Sequence, residues 1–323
     1  MNRPWPADAL AFEESVTAAL RDLGGIEFTR ECEQDPGLRR RLRAVIESLE
    51  LDQLCFAESE IEAAACALAS KAAGRVAAPW PLVHQLTAAA QPELQAKAVY
   101  LIAGSPRRAE HLDFAGDSIA FDVQTGSAHR LTAVGGVQQM PLDPFGVPCT
   151  AGAGEPLRSD PTVVAIVLSA FWVLGALETA VELASAYSVE RAQFGRPISS
   201  FGAIQWRLAD LSVDCSALSE LAAFTLAKAI DEEATSGDAW ALRLQMLESA
   251  NRLLANAHQI FGSIGLCEEH DLVVLDRHLQ GALHRPFGAA ETASALADRV
   301  RSEGFDMLFP LPPQHPREQT AAN

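Results

Sequence analysis

Apolar residues recur at mixed steps of three and four from Ala9 to about Thr87, through "LRRRLRAVIESLELDQL" and "IEAAACALASKAAGRVAAPWPL". That period marks helices with one buried face. It predicts a helical block that Gly74, Pro79 and Pro81 bring to an end. From Ala98 to about Pro156 the texture changes to short apolar runs, "AVYLIAG", "SIAFDV" and "RLTAVGGVQQM", separated by Gly, Asp and Ser. Such runs predict a small β region of about four or five strands.

After Pro161 the helical period returns, with Val163, Val167, Ala170, Leu174, Leu177, Val181 and Ala184 on one face of a long helix. Leu208, Leu211, Cys215, Leu218 and Ala222 repeat the pattern, and so do Leu247, Ala250, Leu254, Ala257 and Phe261. Shorter helices from about Glu269 to Leu283 and from about Ala289 to Arg301 complete an antiparallel bundle of four or five helices. The expected fold is mostly α with a small β domain. Its order is a helical domain over 1–90, a reduced β domain over 91–158, the bundle over 159–306 and a disordered, proline-rich tail over 307–323.

Composition narrows the chemistry. The 323 residues allow about two domains and a sizeable core. A formal charge of −17 argues against nucleic acid or an anionic membrane surface, because both are bound through clustered Lys and Arg. The uncharged run from Thr162 to Leu177 falls short of the roughly 18 residues that suggest a membrane span. No basic segment followed by an apolar run and a cleavage site opens the chain, so the expected setting is cytoplasmic, with small-molecule or protein partners. The six cysteines form no C-x-x-C pair and the eight histidines show no ligand spacing, so no metal is expected.

The connection after the long helix is the richest stretch: "SVERAQFGRPISSFGAIQWRLADL", residues 188–211. Gly195 can take the left-handed conformation that ends a helix, and Pro197 cannot continue one. Ser199 or Ser200 can cap the next helix, whose free N–H groups form an anion site. Turn geometry alone does not call for Arg191, Gln193 and Phe194. Singly, Arg191 serves to complement a helix C-terminus and Phe194 to fill a core. Together with a second motif, "HQIFGSIGLCEEHDL", they form a pattern.

That pattern resembles the acyl-CoA dehydrogenase superfamily, in which a helix ends in an R-x-Q-F-G-x-P-[IL] corner and a later turn reads Q-x-x-G-G-x-G-[FY]. "ALASKAAGRVAAPWPL" is similar to the segment that precedes the family's β domain. The resemblance implies the acyl-CoA dehydrogenase-like fold and an FAD shared between two subunits. It implies that Arg191 meets the flavin pyrophosphate, that Gln193 hydrogen-bonds nearby and that Phe194 packs on the cofactor. Gln259 and the main chain around Gly262, Ser263 and Gly265 would receive the adenosine end. An arginine suits the first role because its planar charged fork matches phosphate oxygens.

Several departures from the family shape the expected function. Phe201-Gly202 stands where the family has Phe-Gln, and Ser263 replaces a glycine. The β region is much shorter than the family's, and no segment matches the one that covers the flavin ring. Dehydrogenation needs a carboxylate to take the α-proton while the β-hydrogen leaves as hydride. The family's two base positions fall at about Ala165 and about Pro286, neither of them acidic. Asp160 and Glu291, each five residues away, are the candidates for a displaced base. The expected function is therefore the subunit of a heteromeric, FAD-dependent acyl-CoA dehydrogenase that lacks the catalytic Glu. By resemblance its substrates are sterol side-chain and similar bulky acyl-CoA esters, its partner a longer homologous chain, and its electron acceptor an electron-transfer flavoprotein. The alternatives are a self-sufficient homo-oligomeric dehydrogenase using Asp160 or Glu291, and a flavin-free helical interaction protein with the same fold.

Overall fold

The computed structural model describes residues 4–157 and 159–304, so the proline-rich tail lies outside the described residues. The N-terminal block folds as α1 (Ala7–Leu23), α2 (Gly25–Gln34), α3 (Arg40–Ser48), α4 (Glu60–Arg75) and α5 (Leu82–Ala89). The strands β1 (Ala98–Ile102), β2 (Arg108–Glu110), β3 (Ser118–Asp122), β4 (Ser127–Ala133) and β5 (Gly146–Pro156) follow, with a single turn of helix, α6 (Leu112–Ala115), after β2. The C-terminal half consists of α7 (Thr162–Glu190), a small hairpin of β6 (Ala192–Gln193) and β7 (Arg196–Pro197), α8 (Gly202–Ile230), α9 (Ser236–Phe261), α10 (Asp271–His284) and α11 (Ala289–Glu303).

The five strands form one sheet in the order β1-β3-β4-β5-β2, with β1 and β3 parallel and the other pairs antiparallel. Alternation divides it cleanly. Tyr100, Ala120 and Val147 pack on one face, whereas Val99, Ile119 and Phe121 pack with Ala88 and Leu94 on the other.

The long helices owe their positions to α7. Periodicity predicts one buried face for it, but Ile166, Phe171, Val173, Ala176 and Ala180 are buried too. The reason is enclosure: α4, α8 and α9 all pack along it. Its most apolar window is long and apolar enough to cross a membrane, yet 67% of that window is buried inside the protein. The approach to α4 is backbone to backbone. A Cβ on Gly74 would lie 1.8 Å from the Trp172 carbonyl oxygen, and one on Gly175 would lie 1.9 Å from that of Lys71. Gly74 thus sits one residue before the end of α4, and its missing side chain is what seats α7.

Buried ion pairs join the three parts. Arg39, 1% exposed, pairs with Asp113 at 2.6 Å and lies between the Phe114 and Phe145 rings. Glu33 of α2 accepts from Arg277 at 2.7 Å and meets His278 of α10 at 2.8 Å. The sheet is therefore pinned between the N-terminal helices and the bundle.

Replacing Gly175 by alanine should lower stability in chemical denaturation by about 3 kcal/mol, since neither backbone can yield without opening the core. Gly135→Ala, where the added atom meets nothing within 4 Å, should change it by less than about 0.5 kcal/mol.

Candidate functional site

At the far end of α7 the chain turns through the β6–β7 hairpin. Its two turn residues, Phe194 and Gly195, both have positive φ, 54° and 81°. This matches the twist of a tight hairpin, but the left-handed region costs a residue with a Cβ about 1–2 kcal/mol. Phe194 is also 92% exposed. An aromatic residue both strained and placed in water is not buried by this chain, which makes Phe194 a candidate functional position. Its ring edge faces Phe201, which carries the Arg196 guanidinium 4.1 Å above its face.

Neither serine caps α8. The Ser200 hydroxyl donates to the Pro197 carbonyl at 2.7 Å, and the helix begins after Phe201 with no side-chain cap. The serines are held in a turn of their own, one step too early to reach the first helical N–H groups. The Ile204 N–H donates to the Phe201 carbonyl at 2.9 Å, which leaves the Gly202 and Ala203 N–H groups without a cap, as an anion site requires.

Arg191, Gln193 and Phe194 share one groove of about 610 Å³ with Tyr187, Phe201, Gly262 and Ser263. Arg191 is exposed and makes no ion pair among the described residues. Gly262 ends α9 at φ 63°, with no atom within 4 Å of where its Cβ would stand, so its main chain is open to a ligand. Gly265 serves otherwise, since a Cβ there would lie 2.7 Å from that of Phe261. Gln259 is exposed on the last turn of α9, outside the groove lining. A guanidinium with no ion-pair partner among the described residues, open amides and the exposed Phe194 ring fit the diphosphate and base of a dinucleotide.

A second cavity, of about 90 Å³, lies where the helices meet the sheet. Ala165 and Pro286, the two positions where the resemblance seats a base, both line it. Asp160 and Glu291 do not. Asp160 is exposed and accepts from the Thr162 N–H at 2.9 Å, closing the start of α7, and Glu291 is exposed in the first turn of α11.

The carboxylate in this cavity is Glu110 of β2. Arg285 donates to it at 3.2 Å and His84 stands 3.6 Å away, stacked on Tyr100. Burial disfavours its charge, yet Arg285, His84 and His111 together hold the Glu110 carboxyl well below the usual carboxylate range. Gly281 lets it approach, because a Cβ there would lie 2.3 Å from the carboxylate oxygen. A carboxylate so firmly ionised is a poor proton acceptor. The cavity is also far below the roughly 300–1,000 Å³ of small-molecule pockets. It does not fit a flavin ring. Nothing in "RRAEHLDF" singles out Glu110, since only the sheet brings it against α10.

Residues 166–289 match the family model described as acyl-CoA dehydrogenase, C-terminal domain. Among curated proteins, the chain is 34% identical over 134 residues to the acyl-CoA dehydrogenase IpdE2 of Mycobacterium tuberculosis, covering 40% of this chain and 39% of that protein. The match thus spans about two fifths of that relative's length. Among solved structures, the steroid ACAD Tcur3481-Tcur3483, a G363A variant, superposes with a TM-score of 0.77 at 16% identity over 92% of this chain and 98% of that one. The ChsE4-ChsE5 complex from Mycobacterium tuberculosis gives 0.76 at 16% identity over 93% and 99%. At such identities these two matches establish the fold.

Glu110→Gln should cost about 2 kcal/mol at neutral pH by removing the nearer of Arg285's two carboxylate partners, the other being Asp143 at 3.8 Å. Because the folded carboxyl titrates below its unfolded value of roughly 4.3, the pair's contribution is complete above that pH and is lost as pH falls through the folded value. The stability gap between wild type and variant, measured by denaturation, should narrow on acidification below about pH 4.

Proposed function

We propose, for a chain that has the acyl-CoA dehydrogenase fold and carries that family's C-terminal domain, that it is the subunit of a heteromeric, FAD-dependent acyl-CoA dehydrogenase that lacks the catalytic Glu. One contrast carries the reading. The corner groove presents exposed groups with no ion-pair partner among the described residues, suited to a dinucleotide's diphosphate end, whereas the cavity at both base positions is small and its carboxylate, Glu110, is already paired with Arg285. FAD, when bound, supplies hydride acceptance from the β-carbon of an acyl-CoA.

This chain's own residues would then bind rather than react. Arg191 offers a charged fork to the pyrophosphate, Gln193 a neighbouring amide, and Gly262 and Ser263 their main chain. Phe194 would bury its exposed ring against the cofactor or the second subunit. The catalytic carboxylate and the flavin-ring pocket would belong to a longer homologous partner. The outward side of α8 supports such a partner, since Trp206, Val213 and Phe224 line it in the open, Trp206 at 76% exposure. One structural neighbour is a steroid ACAD and the curated relative is an acyl-CoA dehydrogenase, which together support a steroid-derived acyl-CoA as the substrate class. An electron-transfer flavoprotein would then take the electrons.

In the assembled complex, Arg191→Ala should weaken FAD binding about 10- to 100-fold with helix content unchanged, and Arg191→Lys should restore part of it. Asp160→Asn and Glu291→Gln should leave turnover within about three-fold, where loss of a true general base costs on the order of 100-fold or more. A pure preparation of this chain that oxidises an acyl-CoA alone and loses that activity with Glu291→Gln would overturn the proposal.

A further inference from the structure

His258 lies in the last turn of α9, one residue before Gln259 and beside the groove. Its ring spans two elements. Nδ1 stands 2.8 Å from the carbonyl oxygen of Gly265, in the turn that follows α9, and Nε2 stands 3.1 Å from the Asp276 carboxylate on α10. Both facing atoms are acceptors. A neutral imidazole has one N–H and one lone pair, so it can satisfy only one of them. The imidazolium has two N–H groups and satisfies both. Asp276 is itself held in place, since its other oxygen accepts from Gln280 at 2.6 Å.

We propose that His258 is a positioning residue whose doubly protonated ring ties the Gly262–Leu266 turn to α10 and so presents that turn to the adenosine end of FAD. The inference rests on the function proposed above and adds a pH dependence to it. Loss of the proton would put a lone pair against an acceptor at one end and release that end. The turn whose main chain opens on the groove would then lose its anchor to the bundle.

The surrounding charges agree. The Asp276 carboxylate raises the His258 pKa above its ordinary value, against a smaller opposing effect of burial. His270, which packs on Phe261, uses Nδ1 to accept from the Leu272 N–H, and burial lowers its pKa, so on rising pH it loses its proton before His258 does. Asp271 at the start of α10 is paired with Arg30 of α2. Glu268 and Glu269, in the segment leading to α10, are exposed to solvent. Because the folded pKa is raised, the tie is complete below the unfolded value of roughly 6.5 and is lost as pH rises through the folded one.

Two measurements test this. In the full chain labelled with ¹⁵N-histidine, NMR titration should give His258 a pKa above about 6.5, with both ring nitrogens protonated below it. In the assembled complex, FAD affinity should fall about 10-fold between pH 6 and pH 9. That fall should vanish in His258→Gln and shift to lower pH in Asp276→Asn, which keeps an acceptor and removes the charge. Where glutamine at 258 does not fold, Asp276→Asn reads the same link. A His258 ring that is neutral at pH 6, or an FAD affinity with the same pH profile in wild type and both variants, overturns the inference. A complex that holds no FAD at any pH overturns the function proposed above instead, and the NMR titration then decides the role of the ring in the turn.

Discussion

The structure depends on the contact between α4 and α7, where Gly74 and Gly175 let each backbone touch the other's carbonyls. Helices that meet without side chains between them cannot slide or rotate without collision, so α7 has one position relative to the N-terminal block. Covered on that side by α4 and elsewhere by α8 and α9, it has no exposed residue from Thr162 to Val181. Everything of chemical interest hangs from its two ends. Ala165, near its start, faces the cavity against the sheet, and Arg191 follows its last residue, where the corner begins.

Those ends differ in how they handle charge. At the sheet end, Glu110, Arg285, His84 and, further out, Arg39, Asp113, Glu33 and His278 satisfy one another within the protein. Removing one partner there strands the other, so the pairs hold the parts together rather than await a ligand. At the corner the arrangement is the reverse. Among the described residues Arg191 has no anionic partner and the first amides of α8 have no side-chain cap, and Phe194 holds a strained conformation in water. Charge and strain are left uncompensated at the corner and are satisfied within the chain around the cavity, and the binding role proposed for the corner rests on this asymmetry.

How far each feature could be read in advance follows the range of the interaction that decides it. The helices, the strand-rich middle and the break after α7 were legible because a period of 3.6 or 2, a glycine or a proline acts over a few neighbouring residues. The corner was legible as well, since Arg191, Gln193 and Phe194 are adjacent in sequence and remain adjacent in space. Even there, short-range reasoning misjudged the cap of α8, because Ser200 turned to Pro197 instead.

By itself, then, the amino-acid sequence determined the elements, their order and the residues of the corner. Only the tertiary structure decided that α7 is enclosed on several sides as far as Val181, that Gly74 lies against Trp172 and Gly175 against Lys71, that Glu110 pairs with Arg285 beside the cavity, and that His258 joins two elements through one ring. These are contacts between residues far apart in the chain. Their energies come from burial and from paired charge, and both exist only once the chain has closed on itself.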